Sequence, residues 1–230
     1  MAQVTQISAR RTSVDDIYAF LYDEIAALRL RPGDKISEAD IATKFGVSRQ
    51  PVRDAFNRLA TLDLLLIRPQ RATEVKRFSM REIIKSRFVR LSVEKEVLRR
   101  AAQHCSQDDA RQLDAALSLQ DQSVADCDID RFNALDYEFH KLICQIAGSE
   151  FAFDVILTEK SKVDRLCTLS LSKGHRMPEL VEDHRAIASA VQRHDAEAAV
   201  AACTLHLSRL NETIDQISAT NADYFMPEGD

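Results

Sequence analysis

The chain has 230 residues, enough for one large domain or two modest ones, and its 45% hydrophobic and 29% charged content is that of an ordinary globular protein. No apolar run approaches the ~18–20 residues of a membrane helix, and residues 1–13 lack the apolar core of a signal peptide, so a cytoplasmic location is expected. Five cysteines without a CxxC pair, only five glycines and no tryptophan argue against zinc knuckles, Gly-rich nucleotide loops and all-β folds.

The net charge of −5 is unevenly spread: residues 1–78 carry 13 Lys and Arg against 10 Asp and Glu, and the remainder carries 18 against 26. Residues 44–77 alone hold eight basic and three acidic side chains, a locally basic module in an acidic protein and a means of meeting a polyanion.

In chain order, residues 1–13 are polar and read as a disordered arm. Ser13 can cap a helix over 14–28 with Ile17, Phe20 or Leu21, Ile25 and Leu28 on its apolar stripe. Pro32-Gly33-Asp34 is turn chemistry. Ser37, with Asp40 three positions on, opens a short helix over 38–45 that carries Ile41, Ala42 and Phe45 inward, and Gly46 stops it. Ser48 can cap the next helix, with Pro51 in its first turn, and Val52, Ala55, Phe56 and Leu59 form its buried face. "LLLIRPQRATEVKRF" then suits a small two-stranded hairpin with Arg68 and Arg71 at its tip. From residue 79 only helical periodicity remains, over about 80–104, 107–124, 128–147, 150–172, 178–193 and 195–219, and the tail 220–230 reads as disordered.

Two short helices joined at Gly46-Val47-Ser48 and followed by a basic hairpin have the layout of a winged helix-turn-helix. The first helix braces the second, whose N-terminal turn is then free to enter the major groove. Ser48, Arg49, Gln50 and Arg53 lie opposite the buried residues of that second helix, and Arg68 and Arg71 on the wing can add backbone contacts. Arg pairs with guanine or phosphate, Gln with adenine, and the first-turn N–H groups favour a phosphate. The segment "ISEADIATKFGVSRQPVRDAFNRLATLDLLLIRPQRATEV" closely resembles the DNA-binding signature of the GntR family of bacterial transcription regulators. Gly46, Val47, Ser48, Arg49, Pro51, Val52, Arg53, Ala55 and Leu59 stand at matching positions. The resemblance implies operator contacts through Arg49 and Arg53. The sequence departs from the pattern at three places: Ala72 replaces the wing glycine, Asp63 replaces the glycine of the "GL" pair, and Glu74 stands where an apolar residue is usual.

The helical remainder has polar residues on apolar stripes. In "LDYEFHKLICQIAG" (135–148), Asp136 and His140 lie one turn apart on the face marked by Phe132, Leu135, Phe139, Ile143 and Ile146. They can be a private ion pair, two satisfied core polars, or half of a metal site. His184 repeats the oddity among Leu180, Ile187 or Ala188, and Val191, as does His206 among Ala199, Cys203, Leu210 and Ile217. His104, His194 and His175 fall at helix ends or in a loop and read as surface residues. Four such groups buried without partners would be costly. One divalent ion could satisfy them together, because imidazole nitrogens and a carboxylate suit Zn²⁺, Ni²⁺ or Mn²⁺. Periodicity alone leaves the choice open.

Residues 80–217 are similar to the all-helical FCD effector domain of the FadR subfamily of GntR regulators. "RFVRLSVEKEVLRRAA" matches its opening through Arg90 and Glu94, "LDYEFHKLICQIAGS" matches its Asp/His stretch with Ser149 in place of the usual Asn, and "EDHRAIASAVQRHDAEAA" and "HLSRL" match its later histidine segments. The resemblance implies a metal held by Asp136, His140, His184 and His206, with Arg90 facing an acidic effector, although a surface salt bridge to Glu94 is the plainer role for that arginine. The resulting expectation is a mainly α protein. It comprises a disordered arm (1–13), a winged helix-turn-helix (14–78), an all-α antiparallel bundle that binds effector and metal and dimerises (79–219), and a flexible tail (220–230). Its expected work is that of a non-enzymatic, homodimeric regulator binding double-stranded operator DNA under control of a small carboxylate-bearing effector. The alternatives are a regulator for which metal occupancy is itself the signal and, further off, a metal-dependent hydrolase.

Overall fold

The computed structural model describes residues 13–163, 165–166 and 176–227. The expected N-terminal arm, the end of the helix expected over 150–172, Cys167, His175 and the last three residues lie outside that range. The chain divides into two compact units, Met1–Phe78 and Ser79–Asp230.

The first unit contains α1 (Ser13–Ala26), α2 (Glu38–Phe45), α3 (Arg49–Thr61) and three short strands, β1 (Lys35–Ile36), β2 (Leu65–Leu66) and β3 (Thr73–Val75). Ile17, Leu21 and Ile25 of α1 are wholly buried with Val52, Phe56 and Leu59 of α3, as an i, i+4, i+8 stripe on one helix and i, i+4, i+7 on the other require. Helix α1 ends two residues before the expected stop, because Leu28 takes a positive φ of 56° and breaks the ladder. Ser37 caps α2 by accepting from the Asp40 N–H, and Gly46 (φ 65°) closes it with its own N–H on α2 carbonyls. That left-handed position is open to glycine at no steric cost. Ser48 occupies the N-cap position of α3 without making the expected side-chain cap.

The wing is a three-stranded antiparallel sheet in the order β1-β3-β2 rather than a two-stranded hairpin. The added strand pairs Lys35 with Glu74 and Ile36 with Thr73, while Leu65 pairs with Val75 and Leu66 with Glu74 on the other side. Turn residues Pro32-Gly33-Asp34 make it possible, since Gly33 N–H donates to Val75 O and Asp34 O accepts from Val75 N–H (both 2.8 Å), and Ile36 is then buried. A two-residue strand has too few residues for alternation to be seen in sequence.

The second unit is an antiparallel bundle of α4 (Met80–His104), α5 (Gln107–Ala125), α6 (Ile129–Ile146), α7 (Phe151–Ser161), α8 (Arg176–Gln192) and α9 (Ala196–Thr220), followed by a 3₁₀ turn, Ala222–Tyr224. Helix α9 packs on α4 and α8, α5 on α6 and α8, and α4 on α6 and α7. Val97, Leu113, Phe139, Ile143, Ile156, Ile187, Val191 and Cys203 meet in one core. Helix α7 is shorter than the periodicity over 150–172 predicts: it ends at Ser161, and Val163 N–H bonds back to Lys160 O in a turn. The tail also departs from expectation, because the 3₁₀ turn follows α9 directly and Phe225 is buried. No helix of the described residues is long and apolar enough to cross a membrane.

Candidate functional site

On the first unit, Ser48, Arg49, Gln50 and Arg53 are all exposed at the N-terminal end of α3, opposite its buried stripe, and no acidic residue lies in that first turn. Arg49 projects from the first helical position. Gln50 Nε2 donates to Asp54 Oδ1 (2.9 Å), and Arg53 is held in a two-point pair with Glu38 at the start of α2 (NH2–Oε2 3.1 Å, Nε–Oε1 3.4 Å). Arg58 turns away, to Asp15 (2.8 Å) and over the ring of Tyr18 on α1, so its charge serves the unit's own packing. Arg68 and Arg71 are exposed at the wing tip. The two glycine departures have different outcomes. Asp63 adopts the left-handed conformation of the glycine it replaces (φ 62°), as short polar residues tolerate, and pairs with Lys76. Ala72 needs no such conformation, because the wing's positive φ falls on Gln70 (58°). Glu74 is half-buried and ion-paired with Arg77.

On the second unit, α6 supplies Asp136 and His140 from adjacent turns, α8 supplies His184 and α9 supplies His206; all four are buried. Each offers a ligand atom, and these atoms lie within 4.8 Å of one another. Ligands on one tetrahedral ion at about 2.0–2.2 Å stand roughly 3.3–3.6 Å apart, so the cluster needs to close by roughly 1–1.5 Å to hold one. Asp136 and His140 do not pair with each other as a private couple. Asp136 Oδ2 meets Lys160 Nζ (3.1 Å) and Oδ1 lies 3.4 Å from His184 Nε2, while His140 Nδ1 faces Glu94 Oε2 (3.2 Å). Nor are the histidines satisfied core polars: Nε2 of His140 and Nε2 of His184 are buried without a hydrogen-bond partner.

The opposite ring nitrogens explain that arrangement. His184 Nδ1 lies 2.8 Å from Gln120 Oε1, and Gln120 is itself oriented by donating to Leu135 O (3.2 Å). His140 Nδ1 faces Glu94, whereas His206 Nδ1 lies 3.5 Å from Asp183 Oδ2 without a hydrogen bond. An acceptor at Nδ1 fixes the tautomer that carries its proton there and leaves the Nε2 lone pair for a ligand. Phe139 stacks on His184 at 4.4 Å between centroids and holds the ring plane.

The charges agree with this geometry. Burial drives His184 well below the usual imidazole range, and His206 beside it adds to the effect. Burial likewise lowers His206 against the opposing pull of Asp183. Both rings are therefore neutral at physiological pH, the form that donates a lone pair. Burial would raise Asp136, but Lys160 and the histidines outweigh it and keep the carboxylate ionised; Arg90 and His140 do the same for Glu94. Two neutral imidazoles beside an ionised carboxylate, with three buried ring nitrogens lacking partners (Nε2 of His140 and His184, Nδ1 of His206), are a donor set that fits a borderline-soft divalent ion.

Beside the cluster lies a small cavity, open to solvent, whose lining includes Arg87, Arg90, Asp136, Lys160, Arg176 and His206. Arg90 pairs with Glu94 (2.9 Å), but the pair is buried rather than on the surface, and Arg90 reaches the cavity as well. Sequence reasoning singled out neither Lys160, Gln120 nor Asp183 as part of this site. His104 and His194 are exposed at helix ends as expected.

Comparison with known proteins places both halves. Residues 13–75 match the gntR family of bacterial regulatory proteins and residues 86–209 match the FCD domain. The chain is 36% identical over 228 residues to the HTH-type transcriptional repressor RspR of Escherichia coli K12, covering 99% of this chain and 100% of that protein. It is 24% identical over 207 residues to the HTH-type transcriptional regulator LutR of Bacillus subtilis, covering 80% and 93%. Among solved structures, E. coli McbR/YncC superposes with a TM-score of 0.69 at 17% identity (90% of this chain, 99% of that one), and a GntR transcriptional regulator from Rhodococcus sp. RHA1 with 0.67 at 22% (88% and 97%). These two likenesses bear on fold alone. On its own two domains and its full-length likeness to a repressor, the chain belongs to the GntR family of bacterial transcriptional regulators, with an N-terminal winged helix-turn-helix and a C-terminal FCD effector-binding domain.

Proposed function

We propose that this regulator binds a pseudo-palindromic operator as a homodimer, and that a small carboxylate-bearing effector controls its affinity from a metal-containing pocket of the FCD domain. Operator contacts fall to Ser48, Arg49, Gln50 and Arg53 of α3, with Arg68 and Arg71 of the wing on the backbone. The dimer reading is supported by large apolar side chains left exposed on the second unit, among them Phe88 (73%) and Ile84 (59%) one turn apart on α4 and Phe151 (74%) on α7.

In the effector domain Asp136, His140, His184 and His206 would hold a Zn²⁺, Ni²⁺ or Mn²⁺ ion. The observation that carries this is the pair of buried, unpartnered Nε2 atoms on His140 and His184, each on a ring whose Nδ1 faces an acceptor. Bound there, the ion supplies a Lewis-acidic centre with open positions for a carboxylate. The chain's own groups do the rest: Glu94 and Gln120 orient the rings of His140 and His184, and Arg90, fixed by Glu94, presents its guanidinium to the cavity. The pocket would thus anchor an acid rather than transform one.

Elemental analysis of the purified protein, combined with operator-binding titrations at fixed salt with and without metal and organic acids, tests the reading. Metal near one equivalent per chain and an operator affinity that shifts with an acid are expected. An affinity governed by metal alone would make the ion the signal, and metal-dependent turnover of an ester or amide would make the regulator reading incomplete.

A further inference from the structure

The cavity beside the His/Asp cluster has a charge pattern that the binding of one carboxylate leaves unexplained. Three helices bring four cations to its lining: Arg87 and Arg90 from α4, Lys160 from α7 and Arg176 from α8. Among the described residues of that lining Asp136 is the only acid, and the ion proposed above would claim it. Arg90 and Lys160 lean on Glu94 and Asp136, at the cluster end. Arg176, at the other end, donates among other contacts to Arg209 O (3.2 Å). The Nε of Arg87 is buried and finds no hydrogen-bond acceptor at all. A buried donor on a charged group costs more to leave unmade than one on a neutral group, so an acceptor from outside the chain is called for. A carboxylate drawn to the cluster end answers Arg90 and Lys160 and leaves Arg87 as it was.

The geometry points to an effector with two anionic groups, a carboxylate for the cluster end and a second carboxylate or a phosphate for Arg87 and Arg176, its short carbon chain lying against Phe132 and Leu180. This rests on the acidic-effector reading and narrows it from acids in general to dianions. A guanidinium meets either second group through paired N–H donors, so carboxylate and phosphate share the same recognition chemistry.

Isothermal titration of the Zn²⁺-reloaded full chain with matched pairs tests it: succinate against butyrate, glutarate against valerate, malate against 3-hydroxybutyrate, and 3-phosphoglycerate against glycerate. The dianion of at least one pair should bind about ten-fold or more tighter than its monoanion, the size of one charge-assisted hydrogen bond. Whether a dicarboxylate or the phosphate shows the preference identifies the second group. Arg87→Gln should remove most of that advantage while leaving the monoanion within about two-fold, and Arg176→Gln, on a different helix, repeats the test should the first variant melt early. Equal binding within every pair, or equal weakening of both members by both variants, overturns the dianion inference while the acidic-effector reading stands. No binding by any of these acids overturns both.

Discussion

Two of the protein's Glu–Arg pairs have similar lengths and very different surroundings. Glu38 and Arg53 meet at 3.1 Å on the DNA-binding unit, with side chains 30% and 53% exposed; Glu94 and Arg90 meet at 2.9 Å inside the effector bundle, with side chains 4% and 8% exposed. In water-like surroundings such a pair is worth less than about 1 kcal/mol and yields readily to a phosphate. In the bundle the same chemistry is bound into the fold, because removing one member strands a charge in low dielectric. On the proposed reading the first pair parks an arginine meant for DNA until it is needed, and the second fixes His140 and the wall of a pocket. One residue combination serves exchange at the surface and orientation in the core.

The largest effect that would break this contrast is on stability. Glu94→Ala should destabilise the protein by about 3–5 kcal/mol, since it leaves Arg90 buried without its carboxylate and His140 Nδ1 without an acceptor. Urea unfolding of the full chain, followed by circular dichroism, measures it, and a loss under 1 kcal/mol would mean that the buried pair behaves like the exposed one. Next in size, His184→Ala should weaken metal binding by more than about 100-fold, the upper end of what removal of an orienting neighbour costs. Metal quantified after dialysis against a chelator of graded strength reads this out, and unchanged occupancy would remove His184 from the ligand set.

His184 and its neighbour in the cluster, Asp136, mark where the sequence was legible. His184 and Asp136 break an apolar stripe, so periodicity found them, and the bundle did bring them together within ligand distance. Gln120 and Lys160 obey the same rule, three residues after Leu117 and four after Ile156 on buried faces, yet a polar residue on one stripe says nothing about its partner on another. Asp183 was hidden by its neighbour His184: adjacent helical positions point about 100° apart, so His184 meets α5 and α6 while Asp183 meets Arg209 of α9. On the DNA-binding unit Gly46, the cap at Ser37 and the stripe on α3 were local signals and came through. Strand β1 did not, because two residues become a strand only when β3 is there to pair with them.

On the exposed side of the contrast, Arg49→Ala should cost roughly 1–3 kcal/mol in operator binding and relax base preference at one position, as loss of a direct base contact does. Arg49 stands on the open first turn of α3 with no acid in that turn. Competition binding across a set of single-base operator variants at constant salt separates the two effects. A uniform loss across all variants, with a shallower salt dependence, would reassign Arg49 from base reading to phosphate contact.

The smallest expected effect is the most informative about the exposed pair. Glu38→Gln removes the charge that holds Arg53 and leaves its shape. It also removes an acidic group from the first turn of α2, where the helix dipole favours one, so folding stability should fall by about 0.3–1 kcal/mol. Operator affinity should move the other way. In the free protein Arg53 must leave Glu38 before it can meet a phosphate, and Glu38 itself repels the approaching backbone. Releasing both costs should tighten binding by about two- to five-fold at low salt, and the gain should fade as salt screens the pair over a Debye length of about 8–10 Å. Weaker binding in the variant would give Glu38 the opposite role. It would then act as the brace that aims Arg53, and the exposed pair would be doing for DNA what the buried pair does for the effector pocket.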